Sequence, residues 1–259
     1  MLSRITVFLY GVICYVASLV TFLYLAAFLG NFAVPRSIDS QPQAPFLEAL
    51  ALNLALLVLF GVQHSVMARP GFKAAWTRLV PAAAERSTYM LFSCAALFLL
   101  FWQWQPMGGV IWNVESSIGR VALLSLYAFG WVVVLVTTFL INHFDLFGLR
   151  QVWLHLRGHS YTSLRFRTPG PYRLVRHPLY VGWLVVFWSA PVMTSAHFVF
   201  AVATTAYILI AIQFEERDLV QVHREYAEYR RRVPMILPTA FSGRRDQIKA
   251  VTPAAEVET

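Results

Sequence analysis

The chain has 259 residues, of which 58% are hydrophobic, 15% aromatic and only 13% charged, with a formal net charge of +8. A soluble globular domain carries about 25% charged residues, so this composition excludes an ordinary soluble domain and favours the membrane class. Its two cysteines, Cys14 and Cys94, lie far apart inside apolar stretches, which excludes a disulfide framework and a thiolate metal cluster.

Apolar runs of the length a bilayer crossing requires, about 17 to 25 residues, occur near Ile5 to Val34, Leu47 to Met67, Ser87 to Trp104 and Ile118 to Ile141. Only Arg4 precedes the first run, which is too long for a signal-peptide core and is therefore read as a retained span. Two shorter arms follow, Leu179 to Ala190 and Phe198 to Phe214, joined by "PVMTSAH", and they read as a helix, a turn and a returning helix. The predicted fold is all-α, a polytopic membrane bundle of five to six transmembrane helices followed by a cytoplasmic amphipathic helix. The shortness of the first arm leaves open whether that hairpin crosses completely. The expected organisation is a four-span membrane region over 1–141, a core over 142–241 and a disordered polar tail over 242–259.

Basic residues gather on the cytoplasmic side of multi-pass proteins. With six spans and both termini inside, all of the 21 lysines and arginines fall inside except Arg36 and Arg120. The positive charge is thus a topology signal. A nucleic-acid surface would need those residues on one soluble face among stacking aromatics, whereas here they rim a membrane.

Polar residues concentrate on that inner side. The segment "NHFDLFGLRQVW" (142–153) sets Asn142, His143 and Asp145 where the fourth span ends. The segment "TPGPYRLVRHPLYVGW" (168–183) sets Arg173, Arg176 and His177 at the mouth of the next helix. Pro178 biases His177 towards an extended backbone and is itself suited to open a helix. His177 therefore faces a helix mouth whose unpaired N–H groups can receive an anionic group such as a carboxylate. Gly170 and Gly182 permit close backbone approach. The same residues also suit an interfacial collar of arginines on headgroups with Tyr172 and Tyr180 in an aromatic belt.

In "FEERDLVQVHREYAEYRRRVP" (214–234), Glu215, Leu219, Val222, Tyr226, Tyr229 and Val233 recur at helical spacing, which predicts one stripe on one amphipathic helix. Glu215 begins the stripe at the membrane boundary, where a carboxylate needs a cationic partner, either an arginine or a ligand. A zwitterion carrying a carboxylate, an amine, a sulfonium and a flat base would suit a helix mouth, a glutamate and tyrosine rings together. S-adenosylmethionine has these groups, and nucleotides and lipid headgroups share some of them.

The ordered elements "GPYRLVRHPLYVGW", a hairpin, "EERDL", "EYAEY" and "RRVP" resemble the membrane methyltransferase superfamily that includes isoprenylcysteine carboxyl methyltransferases and phospholipid N-methyltransferases. The segments "QHSVMARPGFK", "ERSTYMLF", "FWQWQPM" and "NHFDLFGLRQVW" are similar to the bacterial methanethiol S-methyltransferase subgroup. The resemblance implies S-adenosylmethionine as cofactor, held by Tyr172, Arg176, His177, Pro178, Leu179, Tyr180, Gly182, Tyr226 and Tyr229. It implies a small volatile thiol as acceptor, no metal, no nucleic-acid partner, and a multi-pass location in the bacterial inner membrane. Ala211 stands where isoprenylcysteine enzymes resemble one another in having an arginine, which disfavours a carboxylate acceptor. A base that assists the thiol is sought among Glu215, Glu216, His64 and His143, the histidine within the second span being a functional candidate because intramembrane ionisable groups are rare. Two rival resemblances are nicotinamide-dependent sterol reductases, through the Arg-His-Pro element, and non-enzymatic NnrU-type accessory proteins.

Overall fold

A computed structural model describes residues 2–238, so the expected tail at 242–259 lies outside the described residues. Among the described residues five helices are long and apolar enough to cross a bilayer: α1 (Leu2–Gly30), α2 (Phe46–Ala68), α4 (Glu85–Gln103), α5 (Ser117–Ile141) and α9 (Ser195–Val222). Shorter helices are α3 (Pro70–Trp76), α6 (His143–Leu146), α7 (Leu149–Leu156), α8 (Pro178–Trp188) and α10 (Tyr226–Arg232). Local chemistry accounts for several boundaries. Arg69, held extended at ψ 142° before Pro70, ends α2 and lets the proline open α3. Ser116 accepts from the Gly119 N–H at the start of α5, and Thr194 accepts from the His197 N–H at the start of α9.

The last hairpin is built from unequal arms. At about 1.5 Å per residue, α8 is only about 17 Å long, roughly half of a bilayer core. The path is completed by extended chain. Strand β2 (Val192–Thr194) pairs antiparallel with β1 (Val110–Asn113), with Val110 opposite Thr194 and Asn113 opposite Val192. The Val114 N–H adds a bond to the Pro191 carbonyl. Because β1 joins α4 to α5, this pairing carries the turn between α8 and α9 to the same end of the bundle as the α4–α5 connection. An isolated extended segment at membrane depth would leave its backbone groups unpaired, and β1 satisfies part of them.

Where α8 lies is set by two glycines. A Cβ on Gly182 would come within 3.0 Å of the Val134 nitrogen, and one on Gly130 within 3.0 Å of the Val186 nitrogen. The backbones of α5 and α8 thus touch, as small residues allow in membrane helix pairs. Elsewhere the interior is filled by Phe28, Leu100, Trp104, Val186, Phe200 and Ile212. Apolar side chains such as Leu23, Val58 and Ile118 cover the outside, which fits a lipid-facing surface. At the other end from the β1–β2 pair the basic residues meet: Arg69 pairs with Asp218 at 2.9 Å, and Arg86 donates to the Leu146 carbonyl at 2.7 Å.

Gly182→Ala or Gly130→Ala is expected to lower the thermal stability of the detergent-solubilised protein by about 1–3 kcal/mol through overpacking. Gly71→Ala, where an added Cβ meets nothing within 4 Å, is the control and should leave the melting temperature unchanged or raised.

Candidate active site

The segment before α8 is fixed by the chain that follows α10. The Arg176 N–H donates to the Pro234 carbonyl at 2.8 Å and the His177 N–H to the Met235 carbonyl at 3.1 Å. Pro178, buried at the first position of α8, leaves His177 non-helical at φ −125°, ψ 62°. Val181 N–H bonds back to the His177 carbonyl, while the Leu179 and Tyr180 N–H groups have no backbone partner among the described residues. The helix mouth expected from the sequence is therefore present, with two free donors.

Two adjacent carboxylates on α9 face this mouth differently. Glu216 is buried and its Oε1 accepts from Arg176 Nε at 2.6 Å and from His177 Nε2 at 3.0 Å; Arg230 Nε stands 3.8 Å from Oε2. Glu215 accepts from the Tyr180 hydroxyl at 2.8 Å, and its side chain is 42% exposed. Its nearest basic atom among the described residues is His177 Nδ1, at 3.9 Å. The Tyr180 ring stacks on His177 with centroids 5.4 Å apart. Arg176 also donates to the carbonyls of Arg230 and Val233, so one side chain joins the α8 entrance, α9 and the end of α10.

An aromatic group lies beside these charges. The Tyr229 hydroxyl donates to the Tyr172 carbonyl at 2.5 Å, and Phe166 packs against His223, Tyr226 and Tyr229. Burial raises the phenols of Tyr172 and Tyr226 above the ordinary range and pushes that of Tyr229 up to about 12, so all three are neutral hydroxyls at physiological pH. The Tyr226 hydroxyl is buried beside Glu216 and makes no hydrogen bond of ordinary geometry among the described residues. Such an orphaned donor is rare in a folded chain and marks a position for a ligand or water.

Several expectations are corrected. The stripe from Glu215 to Val233 does not lie on one helix: α9 runs through the span to Val222, His223 is extended at φ −122°, ψ 108°, and α10 starts at Tyr226. That break folds Tyr226 and Tyr229 back towards Phe166 and Tyr172, and leaves Val222 outside at 72% exposure. Of the two partners open to Glu215, an arginine or a ligand, the described residues supply no arginine; the arginine pairs with Glu216, one residue further on. Gly182 does not line the helix mouth; it is consumed in the contact with α5. His143 stands apart from the carboxylates. Its two ring nitrogens are bonded to Thr138 and Tyr15, and Phe139 stacks on its ring at 4.3 Å, so it locks α1, α5 and α6 together. Burial lowers its basicity further.

His64 is also outside the carboxylate group, yet it opens a second polar cluster in the bundle interior. Its Nε2 lies 2.7 Å from the Tyr89 hydroxyl and its Nδ1 3.1 Å from Ser93 Oγ. Nearby, Tyr207 of α9 bonds Ser65 at 3.2 Å. Tyr89, Tyr207 and Phe166 were not singled out from the sequence. The first two sit in apolar runs where an aromatic reads as packing, and Phe166 sits in a loop with no periodicity. A cleft of about 600 Å³, lined by Arg4, Lys73, Arg86, Asp145, His155 and Tyr161 among others, opens at the same end but is not lined by the Glu215–His177 residues.

A family model described as phospholipid methyltransferase matches residues 119–226, which include the α5–α8 contact, the Arg-His-Pro entrance and both carboxylates. No solved structure matches the chain. Over 245 residues, 94% of this chain and 95% of the relative, it is 57% identical to the methanethiol S-methyltransferase of Crocosphaera subtropica. It is 51% identical to that of Mycobacterium tuberculosis over 92% of this chain and 98% of the relative. It is 48% identical to methanethiol S-methyltransferase 2 of Bradyrhizobium diazoefficiens, covering 95% of each chain. With a multi-pass helical fold and likeness sustained over almost the whole length, this chain belongs to the methanethiol S-methyltransferase family.

Proposed function

We propose that the protein methylates methanethiol to dimethyl sulfide, using S-adenosylmethionine as donor at the Glu215–His177–Tyr226 site. The single observation that carries the site assignment is Glu215: a carboxylate beside a helix mouth, bonded to Tyr180, with no arginine or lysine of the described residues within ion-pair distance. The residues fit the donor. A carboxylate without an arginine or lysine partner among the described residues suits an ammonium or sulfonium, the Leu179 and Tyr180 N–H groups, which have no backbone partner there, suit a carboxylate, and the buried Tyr226 hydroxyl beside Glu216 suits a polar atom of a nucleoside. When bound, that group supplies an electrophilic methyl, so no metal is needed and the protein's work is positioning and electrostatics.

Each part of the site has a distinct task in this reading. Glu216, neutralised by Arg176 and His177, holds the entrance together, whereas Glu215 keeps its charge for the cationic donor. Phe166, Tyr172, Tyr226 and Tyr229 exclude water on the side of α10. The basic end of the bundle, with Arg4, Arg69, Lys73, Arg86 and Arg176, faces the cytoplasm by the charge rule, which sets both termini inside and lets the charged donor enter from there. Methanethiol and dimethyl sulfide are small and apolar and can exchange through lipid. The names of the relatives favour this reading over the reductase and accessory-protein alternatives.

Purified protein supplied with methyl-labelled donor and methanethiol is expected to release labelled dimethyl sulfide into the headspace. Glu215→Gln should reduce kcat/KM by about 10²-fold or more by removing the charge opposed to the sulfonium. A well-folded preparation that releases no labelled product would sink the assignment. Tyr226→Phe separates binding from folding: because the hydroxyl makes no hydrogen bond of ordinary geometry among the described residues, stability should change by less than about 0.5 kcal/mol, while donor affinity, measured by calorimetry, should fall. Unchanged affinity would remove Tyr226 from the site.

A further inference from the structure

We propose that Tyr89 and His64 form the acceptor end of the site, Tyr89 as the residue that takes the thiol proton and His64 as the group that receives the proton Tyr89 gives up. This rests on the methyl-transfer reading and adds the base that the sequence left open among four candidates.

The hydrogen bonds determine a single tautomer. Ser93 Oγ donates its one proton to the Tyr89 carbonyl at 3.0 Å, so towards His64 it accepts, and Nδ1 must carry the hydrogen. Nε2 is left with a lone pair, to which the Tyr89 hydroxyl donates at 2.7 Å. The Tyr89 oxygen receives no hydrogen bond among the described residues, and its free lone pairs are where an S–H group can bind. Phe60 stacks on His64 at 5.2 Å, and the Arg86 guanidinium lies 4.7 Å from the Tyr89 ring centroid, so both rings are held in orientation.

Position supports the pairing with the carboxylate site. Phe60 packs against both His64 and Tyr207, with centroids 5.2 and 6.4 Å apart, and Tyr207 bonds Ser65 next to His64 and lies on α9, the helix that carries Glu215, the partner of Tyr180. Helix α9 thus reaches from the surroundings of His64, through Tyr207, to the carboxylates at Glu215 and Glu216. Besides His64, the charged and titratable groups near Tyr89 are Arg86 and Glu85 of α4, Arg69 at the end of α2, Tyr180 of α8 and Tyr207 of α9. Glu216 is already neutralised by Arg176 and His177. Were Glu215 to take the proton, it would lose the charge that opposes the donor at the moment of transfer. The Tyr89–His64 pair carries no charge beforehand and has no such conflict.

The step balances. The S–H electron pair stays on the acceptor sulfur, whose lone pair forms the new bond to the methyl carbon while the bond from that carbon to the donor sulfur breaks with its electrons. The thiol proton passes to the Tyr89 oxygen and the Tyr89 proton to His64 Nε2, making an imidazolium that donates to Tyr89 and Ser93. One positive charge disappears at the donor as one appears at His64, so the interior keeps its net charge. The imidazolium returns its proton to water when product leaves.

The test compares two acceptors of nearly the same size, methanethiol, which is protonated at neutral pH, and methaneselenol, which is ionised there. For Tyr89→Phe and His64→Gln of the full-length protein at pH 7, kcat on methanethiol should fall by about 10²-fold while kcat on methaneselenol stays within about threefold. The residual methanethiol rate of the variants should climb about tenfold per pH unit towards the thiol's own pKa, because only free thiolate then reacts. Equal losses on both acceptors would assign the pair to structure alone and overturn the relay, as would an undiminished rate on methanethiol in both variants. If the unsubstituted protein methylated neither acceptor, the methyl-transfer reading itself would fall along with the relay.

Discussion

Glu216 is the interaction on which the working end of this protein depends. A buried carboxylate is tolerated only when its charge and lone pairs are met, and removing one partner of such a pair costs about 3–5 kcal/mol. Arg176 and His177 meet it from the residues immediately before α8. Because Arg176 also reaches the carbonyls of Arg230 and Val233, the same guanidinium brings the end of α10 over the entrance. The Pro234 and Met235 carbonyls complete the arrangement by receiving the Arg176 and His177 N–H groups. Helix mouth, carboxylates and aromatic cover are therefore one unit rather than neighbouring parts.

That unit is placed in depth by packing further along α8. The glycine contact with α5 brings two backbones together, and the β1–β2 pair anchors the far end of the hairpin. A short helix finished by extended chain lets the α8 N-terminus start inside the bundle instead of at its rim. Its free N–H groups then act in surroundings where a dipole is screened less than in water. The design separates two electrostatic tasks. Charges that hold the protein together are paired on Glu216, and in the proposed reading the charge offered to the donor is the one on Glu215. Across the interior, the neutral Tyr89–His64–Ser93 group offers hydrogen bonding without adding charge.

Much of this was legible in the sequence. Apolar run length is a local property, so Ile118 to Ile141 became α5 at Ser117–Ile141, and Ser87 to Trp104 became α4 at Glu85–Gln103. The effect of Pro178 on His177 and the helix start are likewise nearest-neighbour consequences, and the skewed distribution of arginines needed only counting. Even the departure at β1–β2 follows from an arm too short to span as helix alone.

What the tertiary structure decided were directions and partnerships. Adjacent residues on a helix point about 100° apart, so whether Glu215 or Glu216 turns inward depends on how α9 is rotated against α8, which no local pattern encodes. The same holds for Gly182, equally suited by sequence to a ligand or to a neighbouring helix until α5 is in place. His64 and His143 are alike on paper, both histidines near apolar runs. Only the packed bundle makes one a locked strut between Thr138 and Tyr15 and gives the other a tyrosine whose oxygen accepts no hydrogen bond among the described residues. Composition and local sterics thus determined that the chain crosses a membrane and opens a helix behind His177, while long-range packing chose which side chains face the opening.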